Sequence, residues 1–208
     1  YWTVVTDLDN PEFELVEYSI EAGVATVRLN RSEKKNAIND QMRDEFAAAL
    51  DRFEEDDAGV LVVRGTDDAF STGADINELE DRLPGSTPEA VAMNAYSLPE
   101  RIENLEEPVI AMINGAAVGG GLELALATDI RIASHDAKLG FPEITLGGLP
   151  GEGGTQLLPR ETNIGTAMWL ILTGKLIDGE RAYQEGIVQQ AHPRDEVADE
   201  TMTLAKAI

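Results

Sequence analysis

Two glutamates in this chain stand in settings that suit proton transfer. Glu123 lies within the apolar run Leu122–Ala127, where an ionisable side chain is costly to bury unless it has a partner or a task. Glu143 follows Phe141-Pro142 and precedes a glycine-rich stretch at 147–154, and the proline restricts the backbone that leads to it. Each glutamate alone is more often a structural or surface residue, whereas the two together fit a general acid and a general base.

Two glycine-bearing segments are suited to hold negative charge beside these glutamates. Ala69–Ile76 lies between a predicted strand and a short helix, and Gly115–Ala125 runs from a predicted strand into a helix. Glycine lets a ligand approach the backbone, and unpaired N–H groups at the start of a helix favour developing negative charge. Gly120 precedes Glu123 by three residues, which places both on one side of a helix. Packing of a helix on a strand explains each segment equally well when it is taken alone.

The elements that must position these residues form one α/β unit. Strands alternate with helices along the chain, without fixed-period repeats or clear interdomain linkers. Phe13–Ile20 and Val24–Leu29 predict a hairpin, and Asn39 predicts the cap of a helix that runs to about Glu55. The further predicted elements are strands at 60–64, 108–113 and 129–133, helices at 88–105 and 119–127, and a loop at 81–88.

Two residues within the predicted helices carry expectations of their own. Pro99 is expected to break or kink the helix at 88–105, because proline lacks the N–H group that a helix interior needs. Trp169 lies in the helical pattern Ala167–Leu172, and we expect it to pack in the core.

The composition excludes several kinds of site and partner. The absence of cysteine excludes disulfides and zinc-thiolate sites, and a total of two histidines disfavours a histidine-based metal cage. Acidic residues number 39 against 16 basic ones, and the resulting net charge of −23 repels nucleic acids and anionic lipids. Residues 1–10 lack the features of a secretory signal, and no apolar run approaches the roughly 20 residues that span a bilayer. We therefore expect a cytoplasmic protein that binds neither nucleic acid nor membrane.

The charged residues show two further patterns. The acids are spread along the chain and lysines are few, which is typical of proteins from salt-loving organisms, where ions screen the repulsion between acids. Arg28, Arg31, Lys34 and Lys35 place four cations within eight residues. This basic cluster fits either a solvated turn after a strand or a binding place for a polyanionic ligand.

The chain resembles the crotonase, or enoyl-CoA hydratase/isomerase, superfamily over essentially its whole length. Four blocks carry the resemblance in order: 31–39 around Asn36-Ala37-Ile38-Asn39, then 69–76, 114–129, and 140–160 with Pro150-Gly151-Glu152-Gly153-Gly154-Thr155-Gln156. The resemblance implies an α/β fold in which ββα units wind into a spiral, with the core at 1–194. Residues 195–208 are expected to begin a C-terminal helical region that is incomplete here. In this family such helices build homotrimers, often paired as homohexamers.

The resemblance also implies roles for individual residues. The N–H groups of Ala74 and Gly120 would form an oxyanion hole for the thioester oxygen of an acyl-CoA substrate. Glu123 would activate water for attack at the β-carbon, and Glu143 would deliver the α-proton. The positions at which family members line the CoA path are here Lys35, Ala37, Thr72, Ala74, Asp75 and Ile76. The basic cluster would lie near the CoA phosphates, and since CoA belongs to the substrate, neither a separate cofactor nor a metal is expected.

Two departures from the family pattern and two alternative functions accompany this hypothesis. Leu157 stands where arginine is common, and Glu152 stands where a small or aromatic residue is common, which affects substrate shape and subunit contacts more than the reaction. Another crotonase-fold enzyme, such as an enoyl-CoA isomerase or a thioester hydrolase, would share the oxyanion hole. A non-catalytic acyl-CoA binder would not require both glutamates. The presence of Glu123 together with Glu143 favours an enoyl-CoA hydratase.

Overall fold

Strands and helices alternate along the chain in a computed structural model that describes residues 13–66, 68–75, 78 and 97–208. The loop expected at 81–88 and the first part of the helix expected at 88–105 lie outside the described residues. The strands of the described part form two sheets, one of six strands and one of four. This arrangement agrees with the predicted α/β class.

The first two strands form the predicted hairpin. β1 (Val16–Glu21) pairs with β2 (Val24–Leu29) in antiparallel register. Ala22 and Gly23 connect them with φ angles of 52° and 80°, which is the left-handed pair that a two-residue hairpin turn requires. The hairpin supplies one edge of the larger sheet.

The middle strands of the larger sheet are buried on both faces. It adds β3 (Val60–Arg64), β5 (Val109–Ile113), β7 (Ile130–Ser134) and β10 (Gln190–His192) in the order β1-β2-β3-β5-β7-β10. From β2 onwards neighbouring strands are parallel. Within β3, Leu61 and Val63 pack in the main core, whereas Val60 and Val62 pack in a second cluster on the opposite face. Burial on both sides explains why β3 and β5 are nearly continuous apolar runs without alternation.

The last helix, α7 (Val197–Ala205), covers the second face of the larger sheet. Val197 and Ala205 are buried against Val60, Ile110 and their neighbours. The predicted boundary after residue 194 falls just before this helix and stays a prediction. The packing makes α7 part of the covering of the sheet.

The smaller sheet lies beside the larger one and grows in step with it. Its order is β4-β6-β8-β9, with bounds Ala69–Ser71, Ala116–Val118, Lys138–Gly140 and Leu176–Asp178. From β3 to β8 consecutive strands alternate between the sheets, so that β3, β5 and β7 extend the larger sheet while β4, β6 and β8 extend the smaller one. Helix α3 (Gly120–Leu126) follows β6 directly, and its start is therefore positioned by the smaller sheet.

Helix α1 (Asp40–Glu55) forms as predicted. Asn39 Oδ1 accepts a hydrogen bond from Met42 N at 2.9 Å and so caps the first turn. The buried face consists of Met42, Phe46, Ala49, Leu50 and Phe53.

Two expectations about the remaining helices are wrong. Pro99 does not kink the inside of a helix: α2 (Leu98–Glu103) begins beside it, so that its missing N–H lies in the first turn, where it costs nothing, and the extended Ser97 provides the cap. Trp169 is 37% exposed on α5 (Ile164–Thr173) rather than packed in the core. Its ring lies under the cations of Lys175 and Arg181, at 5.8 and 5.5 Å from the ring centroid.

The other helices of the described residues are α4 (Gly154–Glu161) and α6 (Gly179–Gln184). Short 3-10 helices cover Ser32–Lys34 and Pro142–Leu146. Within the described ranges, none of the helices combines the length and the apolarity needed to cross a bilayer.

Candidate active site

The turn between β6 and α3 consists of glycines that lie at the start of the helix. Gly119 has φ 57° and ψ −129°, a conformation open to glycine, and its N–H donates to Gly140 O at 3.0 Å. Gly120 is then the first residue of α3. A side-chain carbon at Gly121 would lie 2.2 Å from Ser71 O, so only glycine lets α3 begin this close to β4. The packing that the sequence offered as one explanation of these glycines is therefore present, and a binding role for them stays a prediction.

Glu123 projects from the first turns of α3 into the interior. Its side chain is 2% exposed. Its Oε1 accepts hydrogen bonds from Glu152 N at 2.7 Å and from Gly154 N at 2.8 Å. Both donors belong to the glycine-rich segment that leads into α4, so this segment fixes the carboxylate through one oxygen.

The environment of Glu123 sets its affinity for a proton. Burial raises the pKa of Glu123 to about 7, because an ionised carboxylate loses its hydration there. The two N–H donors from Gly154 and Glu152 oppose this rise, while the negative charges of Glu152 and Glu143 add to it. A glutamate that titrates near neutrality can both accept and release a proton at ordinary pH.

Glu143 lies in the 3-10 helix Pro142–Leu146 and is half-buried. A side-chain carbon at Gly119 would lie 3.0 Å from Glu143 Oε1, so the carboxylate reaches the start of α3. Its Oε2 is buried and has no hydrogen-bond partner within the part of the chain that the structure describes. Burial raises the pKa of Glu143 as well. A buried carboxylate oxygen without a partner is available to a ligand.

Ala74 and Gly120 lie close together in the folded chain. Ile38 N donates to Gly73 O at 2.8 Å and Asp75 N donates to Ile38 O at 3.0 Å, and this parallel bridge turns the N–H of Ala74 away from Ile38. A side-chain carbon at Gly120 would lie 3.7 Å from Ala74 N and 3.9 Å from Glu123 Oε2. The structure therefore brings together the four residues to which the sequence assigned the oxyanion hole and the acid/base pair. Their roles stay predictions.

The segments predicted to line the CoA path also lie side by side. Thr72 N donates to Lys35 O at 3.2 Å, and Ser71 Oγ donates to Asn36 O at 2.8 Å. The buried Asn36, with φ 55°, donates from Nδ2 to Ala69 O at 2.9 Å and so fastens the loop to β4. Ala37 lies half-buried in the same loop.

The remaining positions predicted on the CoA path differ in what the structure shows of them. Asp75 is 7% exposed, and its carboxylate pairs with Arg31 at 2.7 Å, so this side chain holds the loop. Ile76 lies outside the described residues.

The basic cluster divides into two kinds of cation. Arg28 forms an ion pair with Glu17, and Arg31 forms one with Asp75 and also donates to Ala37 O at 2.9 Å. Lys34 and Lys35 are exposed. The two arginines are thus engaged in structural contacts, and the two lysines are the cations that face solvent.

The contacts that Glu152 makes in the site were not predicted from the sequence. Its predicted effect was on substrate shape and subunit contacts, whereas the structure places its N–H on Glu123 and its carboxylate on Arg43, 2.8 Å away. The flanking glycines indicated a tight segment, but no local pattern links residues 109 positions apart.

Known proteins are similar to this chain in sequence and in fold. The model of the family described as enoyl-CoA hydratase/isomerase matches residues 19–208. A probable enoyl-CoA hydratase from Rhizobium meliloti is 38% identical over 94% of this chain and 76% of its own length. The crystal structure of enoyl-CoA hydratase from Bacillus anthracis has a TM-score of 0.84 and 34% identity, covering 93% of this chain and 76% of that one. Fatty acid oxidation complex subunit alpha from Idiomarina loihiensis is 37% identical over 85% of this chain, which spans 26% of that longer protein.

The chain therefore belongs to the enoyl-CoA hydratase/isomerase family. The family and the crotonase-type α/β fold that the sequence predicted are both confirmed.

Proposed function

We propose that this chain is an enoyl-CoA hydratase, which adds water reversibly to the double bond of a 2-enoyl-CoA to give a 3-hydroxyacyl-CoA. The observation that carries the proposal is the proximity of Glu123 and Glu143 to the start of α3, where Gly120 lies beside Ala74 N. Hydratases among the relatives, such as the one from Rhizobium meliloti, support the same reaction. Fatty acid metabolism is the setting in which such thioesters arise.

The two N–H groups would act on the thioester carbonyl. As water adds at the β-carbon, the carbonyl gains enolate character and its oxygen becomes negative. Ala74 N and Gly120 N, which lie close together, would donate to that oxygen, and one such donor is typically worth about 3 kcal/mol in the transition state. The hydrogen bonds strengthen as charge develops, so they accelerate the reaction rather than only bind the substrate.

The two glutamates would divide the proton transfers. Glu123 takes a proton from water while the water oxygen bonds to the β-carbon, and Glu143 gives a proton to the α-carbon. In dehydration each residue does the reverse. One C–O bond and one C–H bond form, while the π part of the C=C bond and one O–H bond of water break, and no electrons are exchanged with another molecule. We therefore propose that the chemistry requires neither a metal nor a redox cofactor.

The pair must hold one proton in total for either direction, because the reaction needs one acid and one base. With the pKa of Glu123 at about 7, because of its burial, the last proton leaves the pair only as the pH passes neutrality. Glu123 is the more deeply buried and so the stronger proton holder in the free chain. A substrate that excludes water from Glu143 would raise the pKa of that carboxyl further and favour the arrangement that hydration needs.

The substrate is proposed to be a CoA thioester whose phosphates lie near Lys34 and Lys35. These exposed lysines belong to a loop that is hydrogen-bonded to the segment carrying Ala74. On a chain with a net charge of −23, a local pair of cations is a favourable place for a polyanion.

We further propose that the chain assembles as a homotrimer or homohexamer. Ile164, Met168 and Leu172 recur at every fourth residue of α5 and are all at least half exposed. The neighbouring exposed apolar residues are Ile144, Leu146, Leu149 and Leu176. Contiguous apolar surface of this kind is typical of a subunit contact. Light scattering should give a multiple of the chain mass that Leu172→Lys reduces, and a monomeric wild type would refute the proposal. A cytoplasmic location likewise stays a prediction.

Hydration of crotonyl-CoA in molar potassium chloride tests the function. The conjugated enoyl absorbance should fall, and mass spectrometry should find the product heavier by one water. A free thiol without that product would indicate a thioester hydrolase, and a shifted double bond would indicate an isomerase. Binding of the ester without any conversion would identify a non-catalytic acyl-CoA binder, and each of these three outcomes would overturn the proposal.

A further inference from the structure

The loop that holds Glu123 has few means of holding itself in place. It consists of Gly151, Glu152 and Gly153, of which Gly153 has φ 110°, a value that side chains rarely allow. Glycine leaves the backbone more conformational freedom than any other residue, so this segment is not rigid by its own composition. Glu152 carries the only side chain of the three residues. The contacts of that side chain add to the backbone hydrogen bonds of the loop, in which Gly153 O accepts from Gln156 N and Leu157 N, both at 2.8 Å.

Glu152 contacts the site with its backbone and helix α1 with its side chain. Its N–H donates to Glu123 Oε1 at 2.7 Å, and its Oε1 accepts from Arg43 Nη2 at 2.8 Å. The side chains of Arg43 and Glu152 are 15% and 30% exposed, so solvent and salt screen this ion pair less than one on the open surface.

Arg43 in turn belongs to an element that is tied to the predicted oxyanion hole. It lies in the first turn of α1, and its N–H donates to the carbonyl oxygen of the capping residue Asn39 at 2.9 Å. Ile38, one residue before the cap, forms the bridge with Ala74. A chain of bonded groups thus runs from Ala74 through the start of α1 to Glu152 and on to Glu123.

We propose that the Arg43–Glu152 ion pair positions Glu123, by fixing the loop whose N–H groups hold its carboxylate at a set distance from Ala74 and Gly120. Arg43 and Glu152 are positioning residues and not catalytic ones. The catalytic consequence rests on the proposed hydratase function, whereas the hold on the Glu123 carboxylate does not.

The proposal predicts that replacing Arg43 and replacing Glu152 shift the pKa of Glu123 in opposite directions. Among the described residues, the charges that act on Glu123 are those of Glu152 in the loop and Glu143 in the 3-10 helix. Arg43 neutralises Glu152. Arg43→Met leaves the Glu152 charge uncompensated and releases a loop that donates N–H groups, and both changes raise the pKa of Glu123. Glu152→Gln removes a negative charge while its amide oxygen can still accept from Arg43, so it lowers that pKa.

Titration of the Glu123 carboxyl by 13C NMR tests the inference without an assay of activity. The chain is labelled at the glutamate side-chain carboxyl carbons, and the Glu123→Gln spectrum identifies the signal. Arg101→Met is the matched control, since Arg101 pairs with Asp51 and Glu54 on the same helix α1 and its loss changes the net charge equally. The titration midpoint should move up in Arg43→Met, move down in Glu152→Gln and stay in place in Arg101→Met. If Arg43→Met does not fold, the inference is tested by Glu152→Gln, in which the titration midpoint of Glu123 should move down.

The kinetic counterpart uses the same variants on crotonyl-CoA. Arg43→Met should lower kcat between about 10- and 100-fold with a smaller change in KM, because a displaced Glu123 affects the transition state more than CoA binding. The alkaline limb of kcat/KM should follow the NMR midpoints. Midpoints that stay at the wild-type value in both variants, or that move equally in Arg101→Met, would overturn the inference. A wild type that fails to hydrate crotonyl-CoA while the midpoints move as expected would instead refute the proposed function alone.

Discussion

Glu123 and Glu143 are the same residue type in two unlike settings of one site. Glu123 extends from a helix whose start is fixed by contact with β4. Its side chain is 2% exposed, and two backbone N–H groups donate to one of its oxygens. Glu143 sits on a short 3-10 helix, half-buried, with one buried oxygen that has no partner in the described chain. Ile144 and Leu146, which follow it, are exposed.

The difference indicates how one pair of carboxylates can serve two tasks. A carboxylate held through one oxygen keeps the other oxygen in a constant direction, which suits a base that must orient a water molecule. A carboxylate with a free oxygen on a less covered segment can adjust to the substrate that it protonates. The position of the carboxylate is thus fixed strongly at Glu123 and weakly at Glu143. Four experiments test this difference.

Replacing each carboxyl by an amide should have the largest effect. Glu123→Gln and Glu143→Gln keep the side-chain shape but abolish proton exchange, so each should lower kcat for crotonyl-CoA hydration by about 10²–10⁴-fold. Glu123→Gln can still accept from Glu152 N and Gly154 N through its amide oxygen, which preserves the loop. Affinity for a CoA ester, measured by calorimetry, should stay within about tenfold. Near-native turnover in both variants would show that the pair is not the acid and base.

A proline and an alanine at Gly120 should separate the oxyanion N–H from the space around it. Both substitutions add a carbon 3.5 Å from Gly73 Cα, which is ordinary contact, but only proline deletes the N–H. Gly120 is the first residue of α3, where proline is tolerated. Gly120→Pro should therefore be slower than Gly120→Ala by about 10²–10³-fold in kcat. The comparison requires equal melting temperatures and equal oligomer mass, and equal rates in the two folded variants would remove Gly120 from the oxyanion hole.

The dependence of stability on pH should report the burial of Glu123. Burial raises its pKa from 4.5 to about 7, so the folded chain favours the protonated form. The corresponding stabilisation is fully present below about pH 4.5 and is lost as the pH rises through about 7, and its size is on the order of 3 kcal/mol. The free energy of unfolding should therefore fall between pH 5 and pH 8 by more in the wild type than in Glu123→Gln, and the difference should be on the order of 3 kcal/mol. Urea denaturation at both pH values measures it. Glu143→Gln should change the slope in the same direction by less, and parallel curves for wild type and Glu123→Gln would contradict the assignment.

Salt should screen the repulsion among the exposed acidic residues and should have less effect on the buried Glu123. The net charge of −23 makes the folded chain repel itself in dilute buffer, and the Debye length falls from about 10 Å at 0.1 M salt to about 3 Å at 1 M. The melting temperature and the oligomer mass should both rise with potassium chloride, whereas the 13C midpoint of Glu123 should move less than that of Glu143. A melting temperature that does not respond would remove the expectation of salt adaptation and leave the enzyme class unchanged.

The sequence predicted what depends on neighbouring residues and failed where the outcome depends on distant ones. The hairpin, α1 with its Asn39 cap and β3 follow from patterns within a few positions, and they form as expected. The apolar sequence of α5 predicted a buried Trp169, but a helix with apolar residues on every side does not reveal which face the rest of the chain covers. Pro99 fitted both a helix break and a helix start, and only Ser97 as the cap decides between them.

The candidate site shows the same division. The two glutamates and the two glycine-bearing segments could be identified from residue types and from the family resemblance. The bonds from the 152–154 segment to Glu123, and from Glu152 to Arg43, join residues that only the folded chain brings together. Glu152 was therefore recognised as unusual without its contacts being foreseen.

The alternation of strands between two sheets has a consequence for biosynthesis. Ala74 leaves the ribosome first, Gly120 and Glu123 follow with the next pair of strands, and Gly154 comes 80 residues after Ala74. At about 5–20 residues per second, roughly 4 to 16 seconds separate the first N–H group of the site from the last. During part of that time Glu123 has emerged while the donors to its carboxylate are still inside the ribosome. A nascent chain that buried Glu123 early would have to bury it as the neutral acid, and the site could gain its ionised form only after the segment at 152–154 had docked.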